Sequence, residues 1–191
     1  LKKLMNNWHI ELFRKSVTKQ LKFAYLRAFA GDYADKTCLD LGSDNGVISY
    51  FLRKPGGQWS TADIDERAVN MTRELIGDGV YKIEGTAIPL PGNTFHLVVI
   101  ADMLEHVEED RKLIDEISRV MRKGGRLVIN VPRKTHLSLI HLLRHLCGLT
   151  AEQHGHLREG YNLKDIKTLL PKYKIEKAGT YSRVFTELID I

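Results

Sequence analysis

The sequence predicts an α/β fold, a three-layer sandwich in which helices cover both faces of a mostly parallel sheet. Short apolar runs alternate along the chain with longer segments of helical periodicity, which is typical of parallel strands joined by crossover helices. A glycine-rich turn also separates the first apolar run from the helical segment after it. With 191 residues and 43% hydrophobic side chains, the chain can bury a core as one domain over 1–191.

Five apolar runs have the length and the flanking turn residues of β-strands. The predicted strands are 37–41, 58–64, 80–84, 95–101 and 126–131.

Helical periodicity fills the intervals between these strands. The predicted helices are 47–53, 66–76, 109–121 and 137–146. Beyond residue 161 we expect a helix at 163–170, stopped by Pro171, and then a strand at 173–179. The last segment, 182–191, is compatible with an antiparallel edge strand or with a helix, and the pattern does not decide between them.

The net charge of +5 is concentrated at one end of the chain. Residues 1–30 contain seven basic side chains and one acidic one, so they carry +6 and leave −1 for the rest. Their spacing predicts one basic amphipathic helix, with Lys15, Lys19 and Lys22 opposite the apolar face. These lysines form either a solvated face or a site for an anionic membrane surface or an acidic substrate. Nucleic acid is not expected as a partner, because no zinc-finger spacing or RNA-binding aromatic signature accompanies them.

The cysteine and histidine content bounds the compartment and the metal chemistry. Cys38 and Cys147 both lie beside apolar residues, which predicts reduced, buried thiols and a cytoplasmic protein. The basic N-terminal helix leaves a membrane-peripheral location open, although no apolar run reaches the length of about 20 residues that spans a bilayer. Five of the eight histidines lie within 136–156, but typical ligand spacing is absent and no metal is expected. No pattern indicates the oligomeric state.

A glycine turn and a downstream carboxylate mark the candidate ligand site. Residues 38–46, CLDLGSDNG, lead from a strand into a tight turn in which Gly42 and Gly46 are expected to leave the backbone open to a ligand. Asp63 ends the next strand, where a carboxylate can accept hydrogen bonds from two ribose hydroxyls. An adenosine-containing cofactor is therefore predicted. The G-x-x-x-G spacing disfavours NAD, and the phosphate-binding G-x-x-x-x-G-K-[ST] motif is absent.

An ordered series of motifs resembles the class I S-adenosylmethionine-dependent methyltransferases of the small-molecule type. LDLGSDNG at 39–46 resembles the first motif of that family, and Asp63-Ile64 resembles its ribose-binding acid with an adenine-packing neighbour. GTAIPLPGNTFHLV at 85–98, DMLEHV at 102–107 and RVMRKGGRL at 119–127 are similar to its later motifs. The resemblance implies a Rossmann-like sandwich with a cofactor-binding core at 36–132 and an insert at 133–161 that covers the acceptor.

The resemblance also implies the cofactor and the roles of individual residues. S-adenosylmethionine is the expected methyl donor and S-adenosylhomocysteine the product. His106, after the fourth strand, is the expected base or else a pocket or capping residue, and Glu105 is a second candidate base. His156, Arg158 and Tyr161 are the expected polar contacts of the acceptor. The residues expected at the cofactor are Asp40, Gly42, Ser43, Asn45, Gly46, Asp63, Ile64, Thr86, Ala87, Ala101, Asp102 and Met103.

Two positions depart from the family pattern. Asp44 replaces a usual glycine, and the turn can persist because Asp adopts left-handed conformations more readily than most residues. Thr86 replaces a frequent acid at the adenine amino group, which is expected to weaken cofactor binding by about 1 kcal/mol. We favour methyl transfer to a small-molecule or lipid-type acceptor. Methyl transfer to nucleic acid or protein, and a methyltransferase-like module without catalysis, remain as alternatives.

Overall fold

The computed structural model describes residues 8–134, 157–158 and 160–180. A short 3-10 helix, Leu104–His106, follows the fourth strand. The other elements are, in chain order, α1 (Trp8–Lys15), α2 (Val17–Ala30), β1 (Thr37–Leu41), α3 (Val47–Leu52), β2 (Gln58–Asp63), α4 (Glu66–Ile76), β3 (Val80–Lys82), β4 (Phe95–Ala101), α5 (Asp110–Val120), β5 (Met121–Asn130) and α6 (Leu163–Leu169).

The five strands form one parallel sheet in the order β3-β2-β1-β4-β5, which confirms the predicted α/β fold. The chain order reverses between β1 and β4, and open α/β sheets bind ligands beyond the carboxyl ends of the strands at such a point. Near this edge Leu41 of β1 pairs with Ala62 of β2 and with Ile100 of β4. The segments that follow these three strands therefore lie side by side.

Alternate residues of the central strands face two different apolar layers. Leu39 and Leu41 pack on the side of α5 and α6, whereas Cys38 packs on the side of α2 and α3. All three are fully buried. Burial raises the pKa of the Cys38 thiol to about 12, and this cysteine is free, so the prediction of a buried thiol is confirmed for it. Cys147 lies outside the described residues.

The N-terminal segment forms two helices, so the prediction of a single helix over 1–30 is wrong for the described residues 8–30. Ser16 separates them, because its Oγ accepts a hydrogen bond from the backbone N–H of Lys19 at 3.3 Å and caps α2. Apolar spacing continues across both helices, which is why periodicity alone did not reveal the break. The ring of Phe13 in α1 stacks on Phe51 of α3 at 4.7 Å between centroids, so this segment packs against the sheet domain.

The predicted strand at 173–179 is also wrong, because residues 174–180 are neither helical nor extended in a sheet. Tyr173 packs against the apolar core, and its hydroxyl oxygen lies 2.7 Å from Ser118 Oγ. Alternating burial in this segment reflects contact with the domain surface, whereas a strand also needs a hydrogen-bonded partner. The predicted helix at 137–146 and the segment 182–191 lie outside the described residues. Within the part of the chain that is described, no helix has the length and apolarity needed to cross a membrane.

Candidate functional site

The turn after β1 contains three residues with left-handed backbone conformations. The φ angles are 83° at Gly42, 48° at Asp44 and 77° at Gly46. Asp44 thus adopts the conformation predicted for it. The side-chain oxygen of Asn45 then accepts a hydrogen bond from the N–H of Val47 at 3.2 Å, where α3 begins. This sequence of conformations reverses the chain at the carboxyl end of β1.

The two glycines are needed for packing within the protein. A Cβ atom on Gly42 would lie 2.6 Å from the carbonyl oxygen of Ala101 and 2.8 Å from Cβ of Met103. A Cβ atom on Gly46 would lie 2.9 Å from Cα of Thr72 in α4. The space that a side chain would need at these glycines is taken by the protein itself, and the contact of their backbone with a cofactor stays a prediction. They allow the turn to pack against the end of β4 and against α4.

Asp63, 5% exposed at the end of β2, accepts four hydrogen bonds. Its Oδ2 accepts from the N–H of Ser43 at 2.6 Å, from Ser43 Oγ at 3.1 Å and from the N–H of Asp44 at 3.2 Å. Its Oδ1 accepts from the N–H of Asp65 at 2.9 Å. The adjacent Ile64 packs against the apolar core. Asp63 thus organises the glycine turn, and Oδ1 is the oxygen with acceptor capacity left for a ligand hydroxyl.

Asp40 is held inside the fold next to this edge of the sheet, and its contact with a cofactor stays a prediction. It is fully buried, and the hydroxyl of Ser49 in α3 donates a hydrogen bond to its Oδ2. Burial raises the pKa of Asp40 to about 6, although the Ser49 hydrogen bond opposes this shift. The alternation of side chains along β1 directs Asp40 towards α3, on the same face as Cys38.

Asp102, immediately after β4, is held from two sides. Its φ of 49° is left-handed, and its N–H donates a hydrogen bond to the carbonyl of Asn130 at 3.0 Å. Its carboxylate accepts hydrogen bonds from the Asn130 amide and from the Lys22 ammonium of α2. Neither interpretation of the basic N-terminal face holds for Lys22, because this side chain forms an ion pair inside the candidate site.

Glu105, in the short 3-10 helix, is a buried acid next to this ion pair. Its side chain is fully buried, and neither carboxyl oxygen has a hydrogen-bond partner. Burial raises the pKa of Glu105 to about 7, and the negative charge of Asp102 also raises it, whereas the positive charge of Lys22 lowers it. The neighbouring His106 is half-buried, and its role as a base stays a prediction.

The loop between β3 and β4 is held by α5. A bridge between Glu84 and Ala87 closes the turn that contains the half-buried Thr86. The guanidinium of Arg119 in α5 donates a hydrogen bond to the carbonyl of Ile88 at 2.9 Å. Contact of Thr86 and Ala87 with adenine stays a prediction.

Arg158 and Tyr161 hold the loop that follows β4. The Arg158 guanidinium pairs with the carboxylate of Asp110 and donates to the carbonyl of Val107 at 3.3 Å. Tyr161 is buried, and its hydroxyl donates to the carbonyl of Leu104 at 3.1 Å. These contacts give both side chains a supporting role, and their contact with an acceptor stays a prediction.

The third predicted acceptor contact, His156, and the other histidines of 136–156 lie outside the described residues. Among the residues that are described, no group of three His, Cys, Asp or Glu side chains is arranged to hold a metal ion. The expectation of no metal therefore remains an expectation for the whole chain.

Residues 39–129 match the family model of the methyltransferase domain. This core is a class I S-adenosylmethionine-dependent methyltransferase domain. The chain is 34% identical over 100 residues to the demethylmenaquinone methyltransferase of Clavibacter sepedonicus, covering 50% of this chain and 41% of that protein. It is 35% identical over 104 residues to a ubiquinone/menaquinone biosynthesis C-methyltransferase of Escherichia fergusonii, covering 49% and 41%. The match thus spans less than half the length of these curated relatives.

The methyltransferase domain also has the fold of solved methyltransferases. The phosphoethanolamine N-methyltransferase 2 of Haemonchus contortus, in complex with S-adenosyl-L-methionine, superposes with a TM-score of 0.61 at 21% identity. The superposition covers 78% of this chain and 35% of that one. The likeness at this identity establishes a common fold.

S-adenosylmethionine is the cofactor of this family, and the methyltransferase domain has groups that suit it. Asp63 Oδ1 retains acceptor capacity for a hydroxyl group beside the glycine turn. Asp102, with a side chain 38% exposed, provides negative charge at the same edge of the sheet, which suits a sulfonium cation. The described residues therefore fit the donor, while the individual contacts remain predictions.

Sequence reasoning missed Lys22 and Asn130 as members of this site. A signal existed for Asn130, because it ends the strand beside β4 and the carboxyl ends of adjacent parallel strands meet at one edge. No such signal existed for Lys22, which is 80 residues away from Asp102 in the chain. Its place depends on how α2 docks against the sheet.

Proposed function

We propose that this chain transfers the methyl group of S-adenosylmethionine to a small, lipid-type acceptor with a quinol-like ring. The observation that carries the proposal is the match of the core to a methyltransferase domain whose relatives are named for demethylmenaquinone and for ubiquinone/menaquinone C-methylation. The acceptor is a proposal because only about half of this chain takes part in those matches.

When it is bound, S-adenosylmethionine supplies a methyl group that is already activated for transfer. The protein therefore has to hold the donor and the acceptor in line and, for a ring carbon or hydroxyl, to accept a proton. Asp63 and the glycine turn are the groups proposed to hold the donor. Glu105 and His106 lie after β4, where the proton would be received. A Glu105 pKa of about 7 allows this side chain to exchange a proton at neutral pH.

The proposed acceptor class is supported by the outer face of α1. Ile10 and Phe13 pack inwards, whereas Trp8 and Leu12, one turn apart on the opposite face, are 56% and 45% exposed. Lys15 lies on the same outer face. An exposed apolar pair beside a cation suits the surface of an anionic bilayer, where a lipid-type acceptor would be met.

The acceptor is tested by incubating the purified chain with methyl-labelled S-adenosylmethionine and separate panels of demethylated naphthoquinols, benzoquinols, catechols, tRNA and protein. We expect label in a quinol, at a ring carbon identified by mass spectrometry. Label in RNA or protein alone would favour the alternative acceptor classes. Calorimetric binding of S-adenosylmethionine without transfer to any of these compounds would favour a module without catalysis.

The membrane surface is tested separately with a chain carrying Lys15→Gln and Lys19→Gln. Lys22 is left unchanged because it pairs with Asp102. We expect weaker co-flotation with phosphatidylglycerol vesicles and no change with phosphatidylcholine vesicles. The difference should shrink as salt is added, since the Debye length is already only about 8 Å at physiological ionic strength. Equal flotation at low salt would mean that the two lysines are only a solvated face.

A further inference from the structure

Lys22 of α2 contacts Asp102, the acidic residue that directly follows β4. Its ammonium pairs with the Asp102 carboxylate, and its positive charge also acts on Glu105 in the following 3-10 helix. The Lys22 and Asp102 side chains are 21% and 38% exposed, so the pair is only partly screened by water. One cation on α2 therefore compensates negative charge from the loop after β4.

The ion pair lies at the point where the order of the strands reverses. Asp102 stands between Ala101 and Met103, the two residues against which the Gly42 turn packs. Its left-handed backbone and its two hydrogen bonds with Asn130 fix the Asp102 carboxylate beside β5. The charge at this position is consequently held in place by α2 and β5 together.

We infer that Lys22, by neutralising Asp102, lowers the preference of the site for the cationic donor S-adenosylmethionine over its uncharged-sulfur product S-adenosylhomocysteine. This inference rests on the placement of the donor at the carboxyl ends of β1 and β4. S-adenosylmethionine and S-adenosylhomocysteine differ in the methyl group and in the positive charge on sulfur. An unpaired carboxylate at this edge would favour the cation, whereas a paired one discriminates less. Lys22 is thus a specificity-determining residue, and through Asp102 it limits excessive stabilisation of the bound donor before reaction.

The test measures the dissociation constants of both compounds by calorimetry, without any acceptor. For Lys22→Met we expect the ratio Kd(S-adenosylhomocysteine)/Kd(S-adenosylmethionine) to rise by about 3- to 10-fold, as for one unit charge within a Debye length at a partly exposed site. Asp102→Asn removes the carboxylate and keeps the positive charge of Lys22, so the ratio should fall. Lys22→Arg keeps the charge and should keep the ratio of the unchanged chain. Arg27→Met, which removes an exposed cation from the same helix, should also leave it unchanged.

If Lys22 has a purely structural role, Lys22→Met would weaken the binding of both compounds equally and leave the ratio of dissociation constants unchanged. That result would overturn the inference. If Lys22→Met does not fold, Lys22→Gln is measured in its place as the neutral variant, and an unchanged ratio in that variant is equally decisive against the inference. Failure of the unchanged chain to bind either compound would refute the donor placement itself. Failure to find a quinol acceptor would refute only the proposed function, since no acceptor is present in this experiment.

Discussion

Replacing Glu105 by Gln should change the pH dependence of stability in a defined direction. The substitution keeps the shape of a fully buried side chain and removes its capacity to become charged. Burial raises the pKa of Glu105 from 4.5 to about 7, so between these values the folded chain holds a proton that the unfolded chain releases. The stability contributed by this proton is fully present below pH 4.5 and is lost as the pH rises through 7.

The expected size of the effect follows from the same shift. A rise from 4.5 to about 7 corresponds to about 3 kcal/mol between the two protonation states, an upper value because a charged Glu105 can attract water or move towards Lys22. Glu105→Gln should therefore unfold with a free energy about 1 to 3 kcal/mol higher than the unchanged chain at pH 8. The two proteins should be nearly equal at pH 4.5, where Glu105 is itself neutral.

Urea unfolding followed by circular dichroism at pH 4.5, 6, 7 and 8 measures this difference directly. The pKa of Asp40 is also raised, to about 6, so the free energy of unfolding of both proteins falls with pH for this reason as well. This contribution is the same in both proteins and cancels in the comparison. Glu108→Gln, in the adjacent exposed part of the loop, is the matched control and should show no pH-dependent gain. Parallel pH profiles for Glu105→Gln and the unchanged chain would refute the conclusion that burial raises the pKa of Glu105.

Three further substitutions separate binding from folding. Asp63→Ala should weaken S-adenosylmethionine binding by about 1.5 to 3 kcal/mol and also lower the free energy of unfolding, because the turn N–H groups lose their acceptor; unchanged affinity by calorimetry would exclude Asp63 from the donor site. Gly42→Ala should lower the free energy of unfolding in urea more than Gly77→Ala. Both glycines have positive φ, but only at Gly42 would the added Cβ atom lie 2.6 Å from a backbone oxygen. Equal losses of stability would contradict this packing. Arg158→Met should speed limited proteolysis of the loop after β4, whereas an unchanged cleavage rate would mean that the Asp110 ion pair does not hold it.

The elements of the sheet domain could be predicted from the sequence because their signals are local. The strands Thr37–Leu41 and Phe95–Ala101 and the helix Glu66–Ile76 have the predicted bounds, since apolar runs and helical spacing depend on neighbouring residues. The left-handed Asp44 was predictable for the same reason, because a turn of this kind restricts the backbone of a single position. The strand predicted at 173–179 failed because alternation reports a buried side and does not supply a pairing partner.

The composition of the candidate site was decided only in part by the sequence. Motif order placed Asp63 and Asp102 at the ends of their strands, but the packing of β1 against α3 determined that Asp40 is fully buried and accepts a hydrogen bond from Ser49. The ion pair of Lys22 with Asp102 and the burial of Glu105 arise from contacts between segments that are distant in the chain. No pattern within either segment encodes such contacts, because the charge and solvation of a side chain depend on what the folded chain brings next to it.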